Sequence, residues 1–559
     1  MEAAPASDAN RQKELGAFYT PPAMAAKLVD WGVRSPTDRV LDPSFGGLVF
    51  LDAARRRLQA LGAKDPAISA QLFGVDVDDG AYAATAQREG LVLPPGSLVH
   101  GDFFAVSPGE EIPLCEAVVG NPPYIRYQGF NGSAARAHEL AQAAGVPLTR
   151  LASSWAPFLI HATAFVTPGG RLAQVLPAEL LHAQYAARVL EHLRTSFREV
   201  VVAVFDELVF PGALEEVVLL IADGRGNHAA GDVKVVSATD LAGLDLTGLA
   251  SNQANRRGMR GSSSRSKLLG QLLPEPARQI YERLSAHNDV HRLGTLASVD
   301  IGIVTGGNTF FMLTAEEASE LAPALVRPAI AKAAQVAGAR LSHDDHDQLL
   351  ARGQRGFLFV ADAETDQEAL DTAMSYLERG QRSGIAQRYK CRVRNPWWAL
   401  PLPKAGVPDL FLTYCANRHP RLALNEAEVL QTNTIHGVTL DNRKLAPGLA
   451  AGFYNSLTLL STELEGRSYG GGVLKLEPTE AESLLLPPIP SKLGSLLGRV
   501  DTLVRSGNLD NLLDLVDAIV LHGALGLTLD EIGWLRAGAT RLRNRRLSRG
   551  RPIRPDAAA

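Results

Sequence analysis

Short apolar segments alternate with helix-like segments along the first half of the chain. The segments with the length and β-branched content of buried strands are residues 39–41, 72–75, 117–120, 171–176, 200–205 and 216–222. The segments between them with a helical pattern are residues 52–60, 81–90 and 156–166. Because such alternation builds a mostly parallel sheet with helices on both faces, the pattern predicts an α/β fold. Ligands of these sheets bind beyond the carboxyl ends of the strands, which is where candidate site residues are expected.

The pattern changes after residue 250, and it predicts four segments. An α/β domain covers 1–250, a basic flexible linker 251–273, a mixed α+β domain 274–490, and a helical segment with a basic tail 491–559. The linker carries five basic residues and no acid, and the stretch from Ile532 to Pro555 carries eight arginines and no acid. Each basic stretch is interpreted either as a solvated chain or as a phosphate contact.

Composition narrows the class of protein without naming a ligand. The chain of 559 residues is 46% hydrophobic and 21% charged, as in ordinary globular proteins, and its net charge of -4 means that any nucleic-acid surface must be local. The widely spaced cysteines Cys115, Cys391 and Cys415 provide no metal-ligand spacing and no disulfide framework, which favours a cytoplasmic location without a bound metal. The N-terminus lacks the apolar core of a signal peptide, and the longest apolar run, 217–222, is too short for a membrane span.

The most informative motif is Asn121-Pro122-Pro123-Tyr124, which follows directly on the apolar strand that ends at Gly120. Two prolines remove two backbone donors and fix φ, so the Asn121 side chain and the Pro122 carbonyl become fixed acceptors. An exocyclic amino group is a poor nucleophile because its lone pair is delocalised into the ring. Two acceptors on its hydrogens favour a localised lone pair, and Tyr124 is suited to stack on the ring. The alternative interpretation is an Asx-Pro turn that ends a buried strand.

Three weaker signals precede this motif in a consistent order. Residues 42–47, Asp-Pro-Ser-Phe-Gly-Gly, follow a strand and allow the backbone to approach a cofactor. Asp76 ends the next strand and is placed for ribose hydroxyls. Asp102 and Phe103 offer an acceptor and an aromatic ring to an adenine. Each has an ordinary explanation as a helix cap, a turn or a core aromatic, but the order of all three favours a cofactor site.

In this order the motifs resemble the amino-group DNA methyltransferases of the γ arrangement, in which the cofactor motifs precede the catalytic motif and a target-recognition domain follows. The resemblance implies a Rossmann-like class I methyltransferase domain with S-adenosylmethionine as cofactor. It implies site-specific transfer of methyl to the N6 amino group of adenine in duplex DNA, by base flipping and direct in-line transfer. Asparagine rather than serine before Pro-Pro favours adenine over cytosine, again by resemblance.

The resemblance also assigns roles to individual residues. The residues implied to bind the cofactor are Thr20, Pro21, Asp42, Pro43, Gly46, Gly47, Asp76, Asp102, Phe103 and Phe158. The residues implied in catalysis are Asn121, Pro122, Pro123 and Tyr124. Tyr124 and Phe210 are implied to stack on the flipped base, with a core position as the alternative for Phe210. Leu48 departs from the family, which usually has glycine there. Segments similar to the recognition domain are 300–308, 389–398 and 466–476.

Three other functions stay open at this point. RNA-base and protein-glutamine methyltransferases use the same tetrapeptide, although the long second half favours a polymer substrate. A fused restriction nuclease is a second alternative, but only 15 residues precede Gly16 and no carboxylate–lysine cluster follows. A methylation-dead DNA-binding module, suggested by Leu48, is the third. The expected partner is double-stranded DNA, with a separate restriction nuclease, subunits of a phage-defence system, or neither.

Overall fold

The structure is a computed structural model that describes residues 20–85, 93–125, 132–150, 152–181, 183, 185–207, 216–226, 231, 233–246, 268–362, 364–403 and 406–548. The chain divides into two compact units with their border between Leu272 and Leu273. This division does not test the four predicted segments, because residues 251–267 of the linker and residues 549–559 of the tail lie outside the described residues.

The first unit is built on an eight-stranded sheet in the order β3-β2-β1-β4-β5-β7-β6-β8. Its strands are β1 (Val40–Asp42), β2 (Leu72–Asp76), β3 (Leu98–His100), β4 (Cys115–Gly120), β5 (Val166–Pro177), β6 (Phe197–Phe205), β7 (Val217–Arg225) and β8 (Val233–Ala238). Strands β1 to β5 are parallel, whereas β7 runs antiparallel to β5 and β6. This is the doubly wound order with one antiparallel strand inserted, and it confirms the predicted Rossmann-like methyltransferase sheet.

Helices pack around this sheet and account for its near-continuous apolar strands. They are α1 (Pro22–Gly32), α2 (Val49–Ala60), α3 (Asp65–Ser69), α4 (Asp79–Thr85), α5 (Ala134–Ala143), α6 (Trp155–Ala164) and α7 (Ala186–Ser196). Every residue from Ala117 to Gly120 of β4 is buried, as expected for a central strand covered on both faces. The prediction of a helix over 156–166 was wrong at its end, because α6 stops at Ala164 and Val166 already pairs with β4 as the start of β5.

The second unit combines several small sheets with helices, which confirms the predicted mixed α+β class. Its strands are β9 (His291–Arg292), β10 (Ala297–Ile301), β11 (Met312–Leu313), β12 (Val326–Ile330), β13 (Arg340–Leu341), β14 (Phe357–Phe359), β15 (Leu410–Leu412), β16 (Cys415–Ala416), β17 (Leu422–Asn425), β18 (Leu430–Gln431), β19 (His436–Leu440), β20 (Arg467–Tyr469), β21 (Val473–Lys475) and β22 (Leu485–Leu486). The largest sheet has the order β10-β19-β15-β17-β13, and a four-stranded sheet has the order β11-β14-β12-β18.

Most described helices of the second unit have eleven residues or fewer, and the longest is the last. They are α8 (Glu275–Ser285), α9 (Asn308–Phe311), α10 (Ala315–Ser319), α11 (His343–Ala351), α12 (Gln367–Thr372), α13 (Met374–Arg382), α14 (Tyr389–Arg392), α15 (Ala446–Gly452), α16 (Ser456–Glu465), α17 (Pro478–Glu482), α18 (Leu497–Ser506), α19 (Leu509–Asp517) and α20 (Leu529–Ser548). A π-helical stretch, Ala518–Ala524, follows α19, so the predicted helical C-terminal part is present. No helix within the described ranges combines the length and apolar content that crossing a bilayer requires.

Candidate active site

The carboxyl ends of four neighbouring strands bring the predicted polar residues to one edge of the sheet. Asp42 is the last residue of β1, Asp76 the last of β2, and Asn121 the first after β4. Asp102 comes two residues after β3. The strand order reverses between β1 and β4, and ligands of doubly wound sheets bind at such a reversal. Residues spread over about 80 positions of sequence therefore share one site.

The glycine turn, residues 43–47 after β1, is joined to the end of β2 by hydrogen bonds from its backbone amides. The Gly46 amide donates to one carboxylate oxygen of Asp76 at 2.8 Å, and the Asp78 amide donates to the other at 2.8 Å. The Phe45 amide donates to the Val75 carbonyl at 3.3 Å. Burial raises the pKa of Asp76, whereas these backbone amides act in the opposite direction. The half-buried Asp76 carboxylate keeps further lone pairs for another donor.

Asp42 is fully buried beside this turn. One of its carboxylate oxygens accepts the Ser44 amide at 3.2 Å, and the other has no hydrogen-bond partner among the described residues. Burial raises the pKa of Asp42 well above its ordinary value, and the neighbouring Asp76 acts in the same direction. Gly120 makes room for this carboxyl, because a Cβ there would lie 2.8 Å from Asp42 Oδ1. An unsatisfied buried acceptor next to a glycine turn fits a cofactor that carries positive charge.

The Asn121 side chain is oriented by two hydrogen bonds, and its backbone by a third. Its Nδ2 donates to Thr20 Oγ1 at 3.1 Å, and its Oδ1 lies 2.6 Å from the hydroxyl of Tyr124. The Asn121 carbonyl accepts the Ser44 hydroxyl at 3.0 Å. The Tyr124 hydroxyl also lies 3.0 Å from the Val175 carbonyl of β5, so its single proton has two possible acceptors. The predicted catalytic turn is thereby connected to the glycine turn of the predicted cofactor site.

Ser154 holds the backbone that follows the tetrapeptide, a role that the sequence motifs did not predict. Its buried hydroxyl donates to the Pro123 carbonyl at 2.5 Å and accepts the Ile125 amide at 2.8 Å, while its own amide donates to the Ile125 carbonyl at 2.9 Å. A serine directly before helix α6 is the signal of a helix cap. In this structure the hydroxyl makes no cap bond and serves the catalytic turn instead.

Two predicted cofactor aromatics lie in one buried cluster. The rings of Phe103 and Phe158 are 4.7 Å apart between centroids, and Phe103 also packs on His161 and Phe165. Asp102 accepts hydrogen bonds from the Phe104 amide, at 3.0 Å, and from the Ser133 hydroxyl, so its carboxylate fixes the backbone beside this aromatic cluster. Burial lowers the pKa of His161, while its Nε2 lies 3.1 Å from the Val106 carbonyl. Contact of these residues with a cofactor stays a prediction.

The remaining predicted site residues fall in three places. Thr20 is buried, and the Pro21 carbonyl accepts the Met24 amide at 2.9 Å where α1 begins. Pro43 and Gly47 belong to the glycine turn, and Pro122 to the turn after β4. Phe210 lies outside the described residues. Within the described ranges, no group of three or more His, Cys, Asp or Glu side chains is arranged to hold a metal ion.

The fold is that of a class I methyltransferase, and the family matches imply S-adenosylmethionine as its cofactor. Residues 6–244 match the family described as N-6 DNA Methylase, and residues 265–521 match the family described as the C-terminal domain of type II methyltransferase M.Eco57I. The two matches lie one after the other along the chain, and they support an adenine-specific (N6) DNA methyltransferase with this C-terminal domain. The description of the matched family names DNA, which favours a DNA substrate over the RNA and protein substrates that the sequence left open.

Two relatives cover most of the chain. The type II methyltransferase M.XamI of Xanthomonas campestris pv. amaranthicola is 27% identical over 498 residues, which is 86% of each protein. The type II methyltransferase M.AccI of Acinetobacter calcoaceticus is 22% identical over 482 residues, which is 84% of each. The structure of the type IIL restriction-modification enzyme MmeI in complex with DNA is similar in fold. Its TM-score is 0.59 at 12% identity, over 93% of this chain and 75% of that one.

Proposed function

We propose that this chain methylates adenine N6 at one duplex sequence and that Asn121 activates the nitrogen. The observation that carries the proposal is the hydrogen bonding of Asn121, which connects it to Thr20, to Tyr124 and, through Ser44, to the glycine turn. An amide that is fixed by its Nδ2 presents its oxygen in a defined direction. A carbonyl oxygen has two lone pairs, so Asn121 Oδ1 can accept both the Tyr124 hydroxyl and one hydrogen of the target amino group.

The proposed chemistry uses two hydrogen-bond acceptors of the catalytic turn. Asn121 Oδ1 and the Pro122 carbonyl each accept one hydrogen of the amino group, which localises its lone pair for attack. The acceptors are in place before the reaction, so little reorganisation is needed as positive charge develops on the nitrogen. When bound, S-adenosylmethionine supplies the methyl group from its sulfonium. The methylated nitrogen keeps its surplus proton, hydrogen-bonded to this acceptor pair, until solvent removes it.

The residues around the glycine turn are proposed to hold the cofactor. Asp76 would bind the ribose hydroxyls with the lone pairs that Gly46 and Asp78 leave free. An ionised Asp42 would place buried negative charge beside the turn, and the positively charged sulfonium and ammonium groups of a bound cofactor would favour that ionised form. The other proposed cofactor contacts are Thr20, Pro21, Pro43, Gly47, Asp102, Phe103 and Phe158.

The target base has to leave the duplex before it reaches Asn121, at a cost of a few kcal/mol. We propose that Tyr124 and Phe210 stack on it, each contributing about 1–3 kcal/mol. The half-buried Tyr124 ring packs against the core, and its hydroxyl points at the Asn121 amide. Tyr124 therefore has a second role, which is to fix the catalytic oxygen.

The experiment measures methyl transfer from tritium-labelled S-adenosylmethionine to DNA. We expect Asn121→Ala to abolish transfer while calorimetry shows near-normal cofactor binding. Tyr124→Phe is the matched variant, because it keeps the ring but removes the hydroxyl, and it should lower kcat without preventing base binding. Substantial transfer by Asn121→Ala, at a rate close to that of the wild type, would contradict the proposed role.

The second unit is proposed to read the DNA sequence, because the motifs for cofactor and chemistry lie in the first unit and carry no sequence readout. Both relatives are named type II methyltransferases, and we propose that this enzyme likewise modifies DNA within a restriction-modification system, with a separate nuclease as its counterpart. Single-molecule sequencing of DNA from cells with and without the gene identifies the methylated sequence. Methylated adenine that shows no common sequence context would refute site-specific modification.

A further inference from the structure

Residues 379–408 of the second unit form a local cationic stretch. They contain seven lysines and arginines and no acid, in a chain that has 56 basic and 60 acidic residues. The described part of this stretch includes the last residues of helix α13, the short helix α14 and the turn that follows it. A concentration of one charge sign within a chain of small net charge creates a local field that attracts polyanions.

The exposed part of this stretch, residues 388–393, is called here the basic turn. Arg388, Lys390 and Arg392 are exposed, and no carboxylate among the described residues forms an ion pair with them. Two large apolar residues stand among these cations: Tyr389 is 66% exposed and Val393 62% exposed. The Lys390 ammonium lies 5.6 Å from the centre of the Tyr389 ring. Exposed apolar side chains surrounded by cations that have no carboxylate partner indicate a surface that another molecule covers.

The basic turn is held on a fixed support, the segment 304–308. Arg394 donates its guanidinium to the carbonyls of Thr305, at 2.8 Å, and Val304. Gly306 has φ +83°, and a Cβ there would lie 3.0 Å from both Cys391 Sγ and Lys390 Cβ. Only glycine combines this backbone conformation with so close an approach of the basic turn. Arg394 is thus used to position its neighbours.

The support is itself anchored to the strands of the unit. The Thr305 hydroxyl donates to Asn308 Oδ1 at 2.6 Å, and Asn308 Nδ2 donates to Thr432 Oγ1 at 3.2 Å. The Ile303 amide donates to the Gln431 carbonyl of β18 at 2.9 Å. A loop with this many fixed contacts presents its exposed side chains in one orientation, as a binding surface requires.

We propose that the basic turn is a contact surface for duplex DNA, with Arg388, Lys390 and Arg392 on phosphates and Tyr389 packed between them in the groove. The inference rests on the proposed function, since it names part of the surface that holds the substrate. DNA is favoured because cations without a carboxylate partner can bind phosphates and displace the counterions condensed there, which raises the affinity of the protein for the duplex. Phosphate contacts fix the position of the protein on the duplex, and an aromatic side chain between them adds packing on the nucleotide.

The test uses the full chain and a fluorescein-labelled duplex of mixed sequence, with anisotropy measured over a range of salt concentrations. Each lost phosphate contact should lower the slope of log affinity against log salt by about 1, so Lys390→Gln with Arg392→Gln should lower it by about 2. Lys492→Gln, which removes one exposed charge elsewhere in the second unit, should leave the slope unchanged. Tyr389→Ala should weaken binding about tenfold, whereas Tyr389→Phe should not.

Two further readouts separate the possible failures. Thermal unfolding shows whether the second unit of each variant is still folded, and calorimetric binding of S-adenosylmethionine shows whether the cofactor site of the first unit is intact. A wild-type slope in the Lys390/Arg392 double variant, in a protein that does methylate DNA, would overturn this proposal and leave the proposed function standing. Preference of the wild type for an RNA duplex over DNA, or wild-type protein that transfers no methyl to any DNA, would overturn both.

Discussion

Leu48 allows two opposing contributions to stability to be measured at one position. It stands at the start of α2, where its backbone is left-handed with φ 64° and ψ 10°, and its side chain is buried in the core of the first unit. A left-handed conformation costs a residue with a Cβ about 1–2 kcal/mol, whereas glycine has no such cost. The family usually has glycine here, and the structure shows that leucine keeps the conformation that glycine favours.

The magnitudes follow from this geometry. Leu48→Ala removes the buried side chain but keeps the Cβ, and should lower the free energy of unfolding by about 2–5 kcal/mol. Leu48→Gly also removes the left-handed cost, which is a gain in stability. Glycine makes the unfolded chain more flexible as well, and this offsets about 0.4–1 kcal/mol of that gain. The glycine variant should therefore be more stable than the alanine variant by about 0.5–1 kcal/mol.

Thermal unfolding of the full chain measures this difference. Adding S-adenosylmethionine identifies the transition of the first unit, because a ligand shifts the transition of the unit that binds it. The expected gap corresponds to roughly 1–4 °C in Tm. Leu51 provides the matched control, since it is fully buried within α2, where glycine should be less stable than alanine by about 1 kcal/mol. An alanine variant at Leu48 that is as stable as the glycine variant or more stable, as expected at Leu51, would refute this prediction.

Two further predictions concern the carboxylates of the proposed cofactor site. Asp76→Ala should weaken S-adenosylmethionine binding by roughly one to two decades, through loss of about 1.5–3 kcal/mol of charge-assisted hydrogen bonding; unchanged affinity in calorimetry would show that the ribose is held elsewhere. Burial raises the pKa of Asp42, so folding favours its protonated form and stability falls as pH rises above the ordinary aspartate range. Asp42→Asn should flatten that decline in unfolding experiments and bind the cofactor more weakly; an unchanged pH profile would refute it.

Several site features were predictable from the sequence because they depend on neighbours in the chain. Alternating apolar segments predicted the sheet of the first unit, and the polar residues at its strand ends predicted its ligand edge. In Asn121-Pro122-Pro123-Tyr124 the prolines act on adjacent residues, so a stiff turn after β4 was predictable as well. In the second unit the strands are two to five residues long and pair over long separations, so their order was not predictable beyond a mixed class.

Other features depend on contacts between distant parts of the chain, and only the tertiary structure decided them. Asn121 is oriented by Thr20, 101 residues earlier, and the turn after it is held by Ser154, 31 residues beyond Pro123. Gly306 and Arg394 look unrelated in sequence, yet they position one basic turn. Local patterns specify which backbone conformations are favourable, because propensity and turn chemistry act over a few residues. Which side chains then share hydrogen bonds is decided by how the formed elements pack, since partners remote in sequence meet only in the folded chain.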